Sequence, residues 1–171
     1  MIGKRAFCSL LKYSKATNPR VWLSINDGEK DIGNLEFELY SNQAPNAVEN
    51  FRQLCTSEDG YAGSTFDNVI DGFIAQGGST DGDSIYGERF ADENLNLRHT
   101  KRGTLAMSNT GPNSNSTRFY VTFIETPWLN GYNQIIGELT NGDDVLSKIE
   151  AAGSRSGEPS TTFTISKCGE F

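Results

Sequence analysis

Residues 66–78, with the sequence FDNVIDGFIAQGG, constrain the fold of this chain more than any other stretch. Two short apolar runs flank Asp71-Gly72, a dipeptide that commonly forms a turn. The pattern predicts a β-hairpin whose second strand ends at Gln76, before two glycines. Because a lone hairpin is only marginally stable in water, other strands of the chain must pack or pair with it.

A second informative stretch spans residues 105–129. The apolar run at 105–107 and the run at 119–124 both predict strands, and a long loop rich in Asn, Gly, Pro and Ser separates them. Trp128 and Leu129 follow as a pair expected at the surface. This stretch and the hairpin contain most of the residues discussed below as candidates for function.

The rest of the chain predicts further strands and two amphipathic helices. Proline is favoured in the first turn of a helix, and apolar residues spaced three or four apart follow Pro45 and also recur after residue 143. Alternation of apolar and polar residues predicts the strands. The predicted elements are strands at 21–25, 32–40, 135–139 and 161–165, and helices from Pro45 through Cys55 and over 143–152.

Length, composition and charge restrict the class of protein. A chain of 171 residues suits one domain. Its 36% hydrophobic content and 18 Gly fit a turn-rich β fold, and no apolar run approaches the length of a membrane span. After residue 20, ten basic residues stand against 22 acidic ones. A domain of that sign repels phosphate, so we expect no nucleic-acid partner.

Residues 1–20 differ in character from the rest. They contain five basic and no acidic residues, and on a helical wheel the charged and apolar side chains up to residue 18 lie on opposite faces. Asn18-Pro19 would end such a helix. The pattern is typical of a mitochondrial targeting segment, so we predict a mitochondrial protein. A second hypothesis is that the segment is retained and docks on a subunit of a larger mitochondrial assembly; a disordered basic tail is the alternative.

Residue types that commonly bind metals or cofactors are sparse. Cys8, Cys55 and Cys168 lie far apart, without CxxC spacing or a histidine cluster, so we expect neither a metal site nor a cofactor. His99 is the only histidine. It lies in the loop LRHTKRG, with no visible partner for acid–base chemistry, and we expect it to be structural and away from the site.

Seven motifs, taken in order, resemble the cyclophilin family of peptidyl-prolyl isomerases. The resemblance covers residues 21–171 and implies a cyclophilin-like domain: a closed eight-stranded antiparallel β-barrel capped by a helix at each end. One such motif alone would be weak, whereas seven in order are specific. They are PNAVENFRQL (45–54), GSTF (63–66), GFIAQGG (72–78), SIYGERFADEN (84–94), GTLAMSNTGPNSNSTRF (103–119), WLNG (128–131) and CGEF (168–171).

The resemblance also implies a site. Rotation about a peptide bond must overcome a barrier of about 18–20 kcal/mol. A catalyst therefore holds the proline ring in an apolar pocket and weakens conjugation at the prolyl nitrogen, a task that an arginine performs in the family. The expected substrate-binding residues are Phe73, Ile74, Tyr120 and Leu129 in the pocket, with Gln76, Ser108, Asn109, Trp128 and Asn133 around the groove.

Asn68 occupies the position where the family has its catalytic arginine. Asparagine is neutral, shorter, and lacks the forked guanidinium. Arg118 stands where a glutamine is usual and is the one possible substitute. Tyr120 replaces a phenylalanine, so its hydroxyl needs a partner if buried. Asp67 and Asp71 flank Asn68 and predict an acidic groove entrance that favours basic or neutral peptides.

Three functions remain open from the sequence. The first is a cyclophilin-like domain with lost or strongly weakened isomerase activity that serves as a structural or accessory subunit of a mitochondrial assembly. The second is an active mitochondrial peptidyl-prolyl isomerase that assists protein folding. The third is a non-catalytic module that binds proline-containing peptides. Fold alone does not separate them, because function belongs to the site.

Overall fold

The computed structural model describes residues 18–171. The predictions for residues 1–17 lie outside the described residues. Within residues 18–171, eight strands and two α-helices follow one another along the chain. They are β1 (Arg20–Asn26), β2 (Asp31–Leu39), α1 (Pro45–Thr56), β3 (Asn68–Ile70), β4 (Ile74–Gly77), β5 (Thr104–Met107), β6 (Phe119–Thr122), β7 (Ile135–Asn141), α2 (Asp143–Ala151) and β8 (Thr164–Glu170), with a short 3₁₀ turn at Pro127–Leu129.

The strands form one antiparallel sheet in the order β3-β4-β6-β5-β7-β2-β1-β8. The predicted hairpin is confirmed: β3 pairs with β4, and Gly72 takes the positive φ of 68° in the turn. This left-handed conformation costs glycine little because it has no Cβ. Since Asn68 opposes Gln76 and Gln76 opposes Tyr120 in the register, the hairpin and β6 place these three residues side by side.

The sheet is curled, and its two ends approach each other. Residues 63–66, just before β3, exchange backbone hydrogen bonds with Phe163 and Ile165 at the start of β8: Gly63 N–H donates to Ile165 O at 2.7 Å, and Phe66 N–H donates to Phe163 O at 3.0 Å. No ladder between β3 and β8 themselves is present in residues 18–171. The eight antiparallel strands and two helices are therefore as predicted, and full closure of the barrel stays a prediction.

The last strand lies later in the chain than predicted. Alternation placed it at 161–165, but it spans Thr164–Glu170 and pairs with β1. Phe163 and Ile165 are buried, which produced the apolar signal. Most of the later strand residues are only partly buried or exposed. The bounds of this strand are set by its hydrogen-bonded pairing with β1, and a hydrophobic pattern gives no information about that pairing.

An aromatic core fills the space between the sheet and α1. The rings of Phe51, Tyr61, Phe66 and Phe119 lie with neighbouring centroids 5.0–5.9 Å apart, mostly in the tilted or edge-on arrangements that aromatic pairs prefer. All four are at most 1% exposed. Because Phe119 points inward, its neighbour Tyr120 on β6 points to the opposite face of the sheet. The candidate site lies on that outer face.

The loop of residues 84–94 is structural, as predicted. The carboxylate of Glu93 accepts hydrogen bonds from the backbone N–H groups of Asn46 (3.1 Å) and Ala47 (2.8 Å) in the first turn of α1. A helix leaves these first N–H groups without partners, and a carboxylate there is also favoured by the helix dipole. Tyr86 Oη adds a hydrogen bond to Asn46 O. The loop thus stabilises the helix that covers one end of the sheet.

Candidate functional site

Three polar side chains, which we call the polar wall, form a hydrogen-bonded row on the outer face of the sheet: Asn68, Gln76 and Ser108. Asn68 Nδ2 donates to Gln76 Oε1 at 2.9 Å, and Gln76 Nε2 donates to Ser108 Oγ at 2.6 Å. All three are partly buried. The row offers only neutral amide and hydroxyl groups, so it can hold a peptide backbone but carries no positive charge.

Asn68 is enclosed on its other side by Gly157. A Cβ built on Gly157 would lie 1.9 Å from Asn68 Oδ1, and the N–H of the next residue, Val69, donates to Gly157 O at 2.8 Å. The bare backbone of Gly157, with φ of 89°, is therefore the surface on which the Asn68 side chain rests. The short side chain is held between Gly157 and Gln76 rather than extended over the groove.

Behind the apolar pocket lies a second row, which we call the floor: Tyr120, His99 and Asn130. Tyr120 Oη and His99 Nε2 are 2.7 Å apart, and His99 Nδ1 and Asn130 Oδ1 are 2.9 Å apart. Tyr120 is 3% exposed and His99 is 1% exposed. Burial raises the pKa of Tyr120 above its usual range. The buried hydroxyl of Tyr120 is therefore hydrogen-bonded to His99.

The prediction that His99 lies away from the site and lacks a partner is wrong. Burial lowers the pKa of His99, although its hydrogen bond to Asn130 acts in the opposite direction. The ring is therefore neutral at neutral pH. Sequence reasoning missed this contact because 21 residues separate His99 from Tyr120. The one available signal was the buried tyrosine hydroxyl itself, which required some partner.

Apolar side chains gather next to the floor. Ile74, Ala106, Tyr120 and Ile135 form a buried cluster on this face. Of the predicted pocket residues, Phe73 and Leu129 pack against it, so the structure brings all four predicted members together: Phe73, Ile74, Tyr120 and Leu129.

The predicted groove residues surround this cluster. The ring of Trp128 lies 5.7 Å from that of Phe73 and is 55% exposed. Asn109 Nδ2 donates to Tyr132 O at 2.8 Å, and Asn133 Nδ2 donates to Met107 O at 3.1 Å. Asn109 and Asn133 thus hold loop backbone in place, and Trp128 remains available to a ligand.

A family model supports what this geometry indicates. The model described as cyclophilin-type peptidyl-prolyl cis-trans isomerase/CLD matches residues 23–170. The chain belongs to this cyclophilin family. The outer-face cluster, with its polar wall on one side and Trp128 on the other, is the candidate proline-peptide groove of this cyclophilin-type domain.

Arg118, the possible substitute for the arginine of other cyclophilins, is engaged elsewhere. Its Nη1 and Nη2 donate to the two carboxylate oxygens of Asp67 at 2.9 and 2.7 Å. Such a two-pronged pair is the geometry that guanidinium and carboxylate prefer. The side chains of Arg118 and Asp67 are 35% and 42% exposed. In this arrangement the guanidinium of Arg118 binds Asp67 and does not lie at the position of Asn68.

The same pair modifies the predicted acidic groove entrance. The charge of Asp67 is balanced by Arg118, whereas Asp71 is exposed in the β3–β4 turn. The entrance is therefore less acidic than the sequence suggested. Sequence inspection could not find the pair, because 51 residues separate its members.

Within residues 18–171, no group of three or more His, Cys, Asp and Glu side chains is arranged to hold a metal ion. Nor does any helix of this part of the chain have the length and apolar character needed to cross a membrane.

Proposed function

We propose that this chain is a cyclophilin domain that binds proline-containing peptides and isomerises them only slowly. The observation that carries the proposal is the polar wall: Asn68, at the position of the catalytic arginine, has its amide hydrogen-bonded to Gln76. A short neutral amide cannot place a forked cation at the prolyl nitrogen. Loss of one preorganised donor at a reacting centre typically lowers the rate on the order of 10²- to 10³-fold.

Support for binding comes from the remainder of the groove. The apolar cluster that would hold a proline ring is assembled. The hydroxyl of Tyr120 is paired with His99 behind it, so it adds no unsatisfied polar group to the pocket. Trp128 is exposed beside Phe73. These residues supply apolar contact, and the polar wall supplies hydrogen bonds to peptide backbone, neither of which requires the missing arginine.

The experiment is a protease-coupled isomerisation assay with a short X-Pro peptide, combined with calorimetric titration of the same peptide. We expect a rate of about 1% or less of that of an arginine-bearing cyclophilin, together with measurable binding. A rate equal to that of the arginine-bearing enzyme would instead establish an active isomerase. A low rate without binding would show that the groove has lost both functions.

We further propose that the protein acts in mitochondria as an accessory subunit of a larger assembly, through residues 1–20. Support comes from the sequence: this segment is basic, amphipathic in pattern and free of acidic residues, unlike the acidic remainder. Partners with an acidic surface would complement it.

Deletion of residues 2–18, with import supplied by an unrelated presequence, tests the docking role. The variant should fold but fail to co-purify with the assembly. A control that replaces Lys4, Arg5, Lys12 and Lys15 with glutamine in the otherwise unchanged chain tests targeting, and it should remain outside mitochondria. Recovery of the processed protein as a free monomer would contradict the subunit role.

A further inference from the structure

The protonation state of His99 follows from its hydrogen bonds. Asn130 Oδ1 accepts from the backbone N–H of His99 at 2.7 Å and also lies 2.9 Å from its Nδ1. An amide oxygen has no hydrogen to donate and can accept two hydrogen bonds, so Nδ1 must carry the ring proton and donate to it. In the neutral ring, Nε2 then has only a lone pair. Tyr120 O–H must therefore donate to Nε2.

This direction determines what the floor presents to the groove. The O–H bond of Tyr120 points to His99, away from the apolar cluster, and the ring of Tyr120 lies within that cluster beside Ile74. The two rings are nearly parallel, with centroids 6.0 Å apart and an interplanar angle of 15°. A proline ring in the pocket would thus contact the aromatic ring of a tyrosine whose hydroxyl is already satisfied.

We propose that His99 is a positioning residue for the proline pocket, and that peptide affinity falls when His99 becomes protonated. The inference rests on the proposed binding of proline-containing peptides by this groove. His99 acts through Tyr120 and does not itself touch the peptide.

Protonation would reverse the hydrogen bond. Nε2 would gain a hydrogen and become a donor, so Tyr120 would have to accept, and its own hydroxyl hydrogen would lose its buried partner. That hydrogen could be satisfied only by rotating the hydroxyl or moving the ring, either of which changes the pocket. A buried polar hydrogen without a partner is unfavourable. Burial, which lowers the pKa of His99, acts in the same direction because it also disfavours the charged ring.

The charged and titratable groups near His99 lie on its own loop and on four neighbouring segments. Arg98 and Lys101 belong to its own loop, and Lys101 is paired with Glu138 of β7. Tyr40, from the end of β2, lines the same cavity as Arg98 and Lys101. Tyr120 of β6 is the titratable group in contact with the ring. Glu125 precedes Thr126, whose N–H donates to His99 O. The ring's own hydrogen bonds are to Asn130 and Tyr120, so a proton on it would have no carboxylate bonded to it.

The test measures the affinity of the full chain for one X-Pro peptide without ionisable side chains, between about pH 7.5 and about pH 5.5, where His99 is the one histidine able to titrate. We expect affinity to fall by about threefold to tenfold toward the acidic end. By linkage, the same peptide should lower the pKa of His99, read from the single imidazole resonance by NMR.

Two variants and a matched control sharpen the result. His99→Gln, which stays neutral, and Tyr120→Phe, which removes the hydroxyl, should each flatten the pH profile of affinity. Tyr61→Phe removes another buried tyrosine hydroxyl, one that donates to Thr117 O at 2.6 Å in the core, and should keep the wild-type slope. If either of the first two fails to fold, the wild-type profile and its imidazole resonance still decide the matter.

The outcomes separate the inference from the proposed function. Binding of equal affinity across the pH range, or a slope that persists in His99→Gln, overturns the inference alone. Absence of binding at every pH overturns the proposed function and the inference together. A slope lost in both variants and kept in Tyr61→Phe establishes the role of His99.

Discussion

The polar wall and the floor respond differently to an unusual residue. At the floor, Tyr120 brings an extra hydroxyl, and His99 supplies a buried partner for it at 2.7 Å. At the wall, Asn68 stands in place of a cation: its amide pairs with Gln76, while Arg118 is held by Asp67. One departure is compensated within the fold, and the other is only tolerated.

Folding maintains only those properties of a site that affect the stability of the folded state. An unsatisfied buried hydroxyl destabilises the folded state by about 1–3 kcal/mol, so folding alone favours a partner for Tyr120. A missing catalytic cation costs the folded state nothing, because its benefit appears only when substrate reacts. The floor is therefore expected to be sensitive in stability measurements, and the wall in rate measurements.

The largest expected effect is a gain of rate from Asn68→Arg. Restoring a cationic donor beside the intact pocket should raise the isomerisation rate about 100-fold, measured by the protease-coupled assay. Asn96→Arg, which adds the same charge on an exposed loop, should leave the rate unchanged. If Asn68→Arg still binds peptide but isomerises it no faster, the missing cation at residue 68 is not what limits the rate.

A loss of stability should follow Asn130→Ala. The change removes the acceptor of two hydrogen bonds from His99, its backbone N–H and its Nδ1–H, and both donors lie in the buried floor. We expect the free energy of unfolding to fall by about 2–4 kcal/mol in urea denaturation. Asn94→Ala serves as the control: it also removes two hydrogen bonds, one to Gln43 and one from the backbone N–H of Asn96, but both are exposed, so the loss should be under about 1 kcal/mol. Equal losses would mean that the buried hydrogen bonds of the floor stabilise the fold no more than exposed ones do.

A smaller effect is expected from pH. Since the folded pKa of His99 is lowered from 6.5, the unfolded chain takes up a proton before the folded protein does. The contribution of His99 to the free energy of unfolding is fully present above about pH 6.5. It decreases as the pH falls toward the folded pKa, by at most about 1.4 kcal/mol per pH unit. Denaturation at a series of pH values measures it. His99→Gln should remove this slope above the range where carboxylates titrate; an unchanged slope would assign it to other groups.

The smallest effect is expected from Asp67→Asn, which releases Arg118. Because the pair is partly exposed, the free energy of unfolding should change by less than about 1 kcal/mol. The isomerisation rate should rise less than about tenfold, since Arg118 lies just before β6 and not at the position of Asn68. A gain as large as that of Asn68→Arg would show that Arg118 can replace the missing catalytic arginine. The ion pair with Asp67 would then be what keeps the isomerisation rate low.

Much of the fold could be predicted from local patterns. The hairpin at 66–78 and the helix that begins at Pro45 follow from turn residues and hydrophobic periodicity, and both occur in the structure. The strand predicted at 119–124 also occurs, but it ends at Thr122. Hydrophobic periodicity reports only which face of an element is buried. The predicted position of β8 was wrong because most of its residues after Ile165 are exposed or only partly buried, so they show no periodic pattern.

The types of side chain available to the site can be read directly from the sequence. The absence of an arginine at Asn68, the added hydroxyl at Tyr120 and the single histidine are all visible in the printed sequence, and so is the family-like order of motifs.

How those side chains pair depends on the three-dimensional fold. Whether Arg118 serves the groove or Asp67, and whether His99 is isolated or supports Tyr120, depends on contacts between residues 51 and 21 positions apart. Hydrogen bonds of this kind leave no periodic pattern, because each joins two single residues that strand order and loop packing bring within about 3 Å. A sequence therefore reports donors and acceptors, and the fold selects among their possible partners.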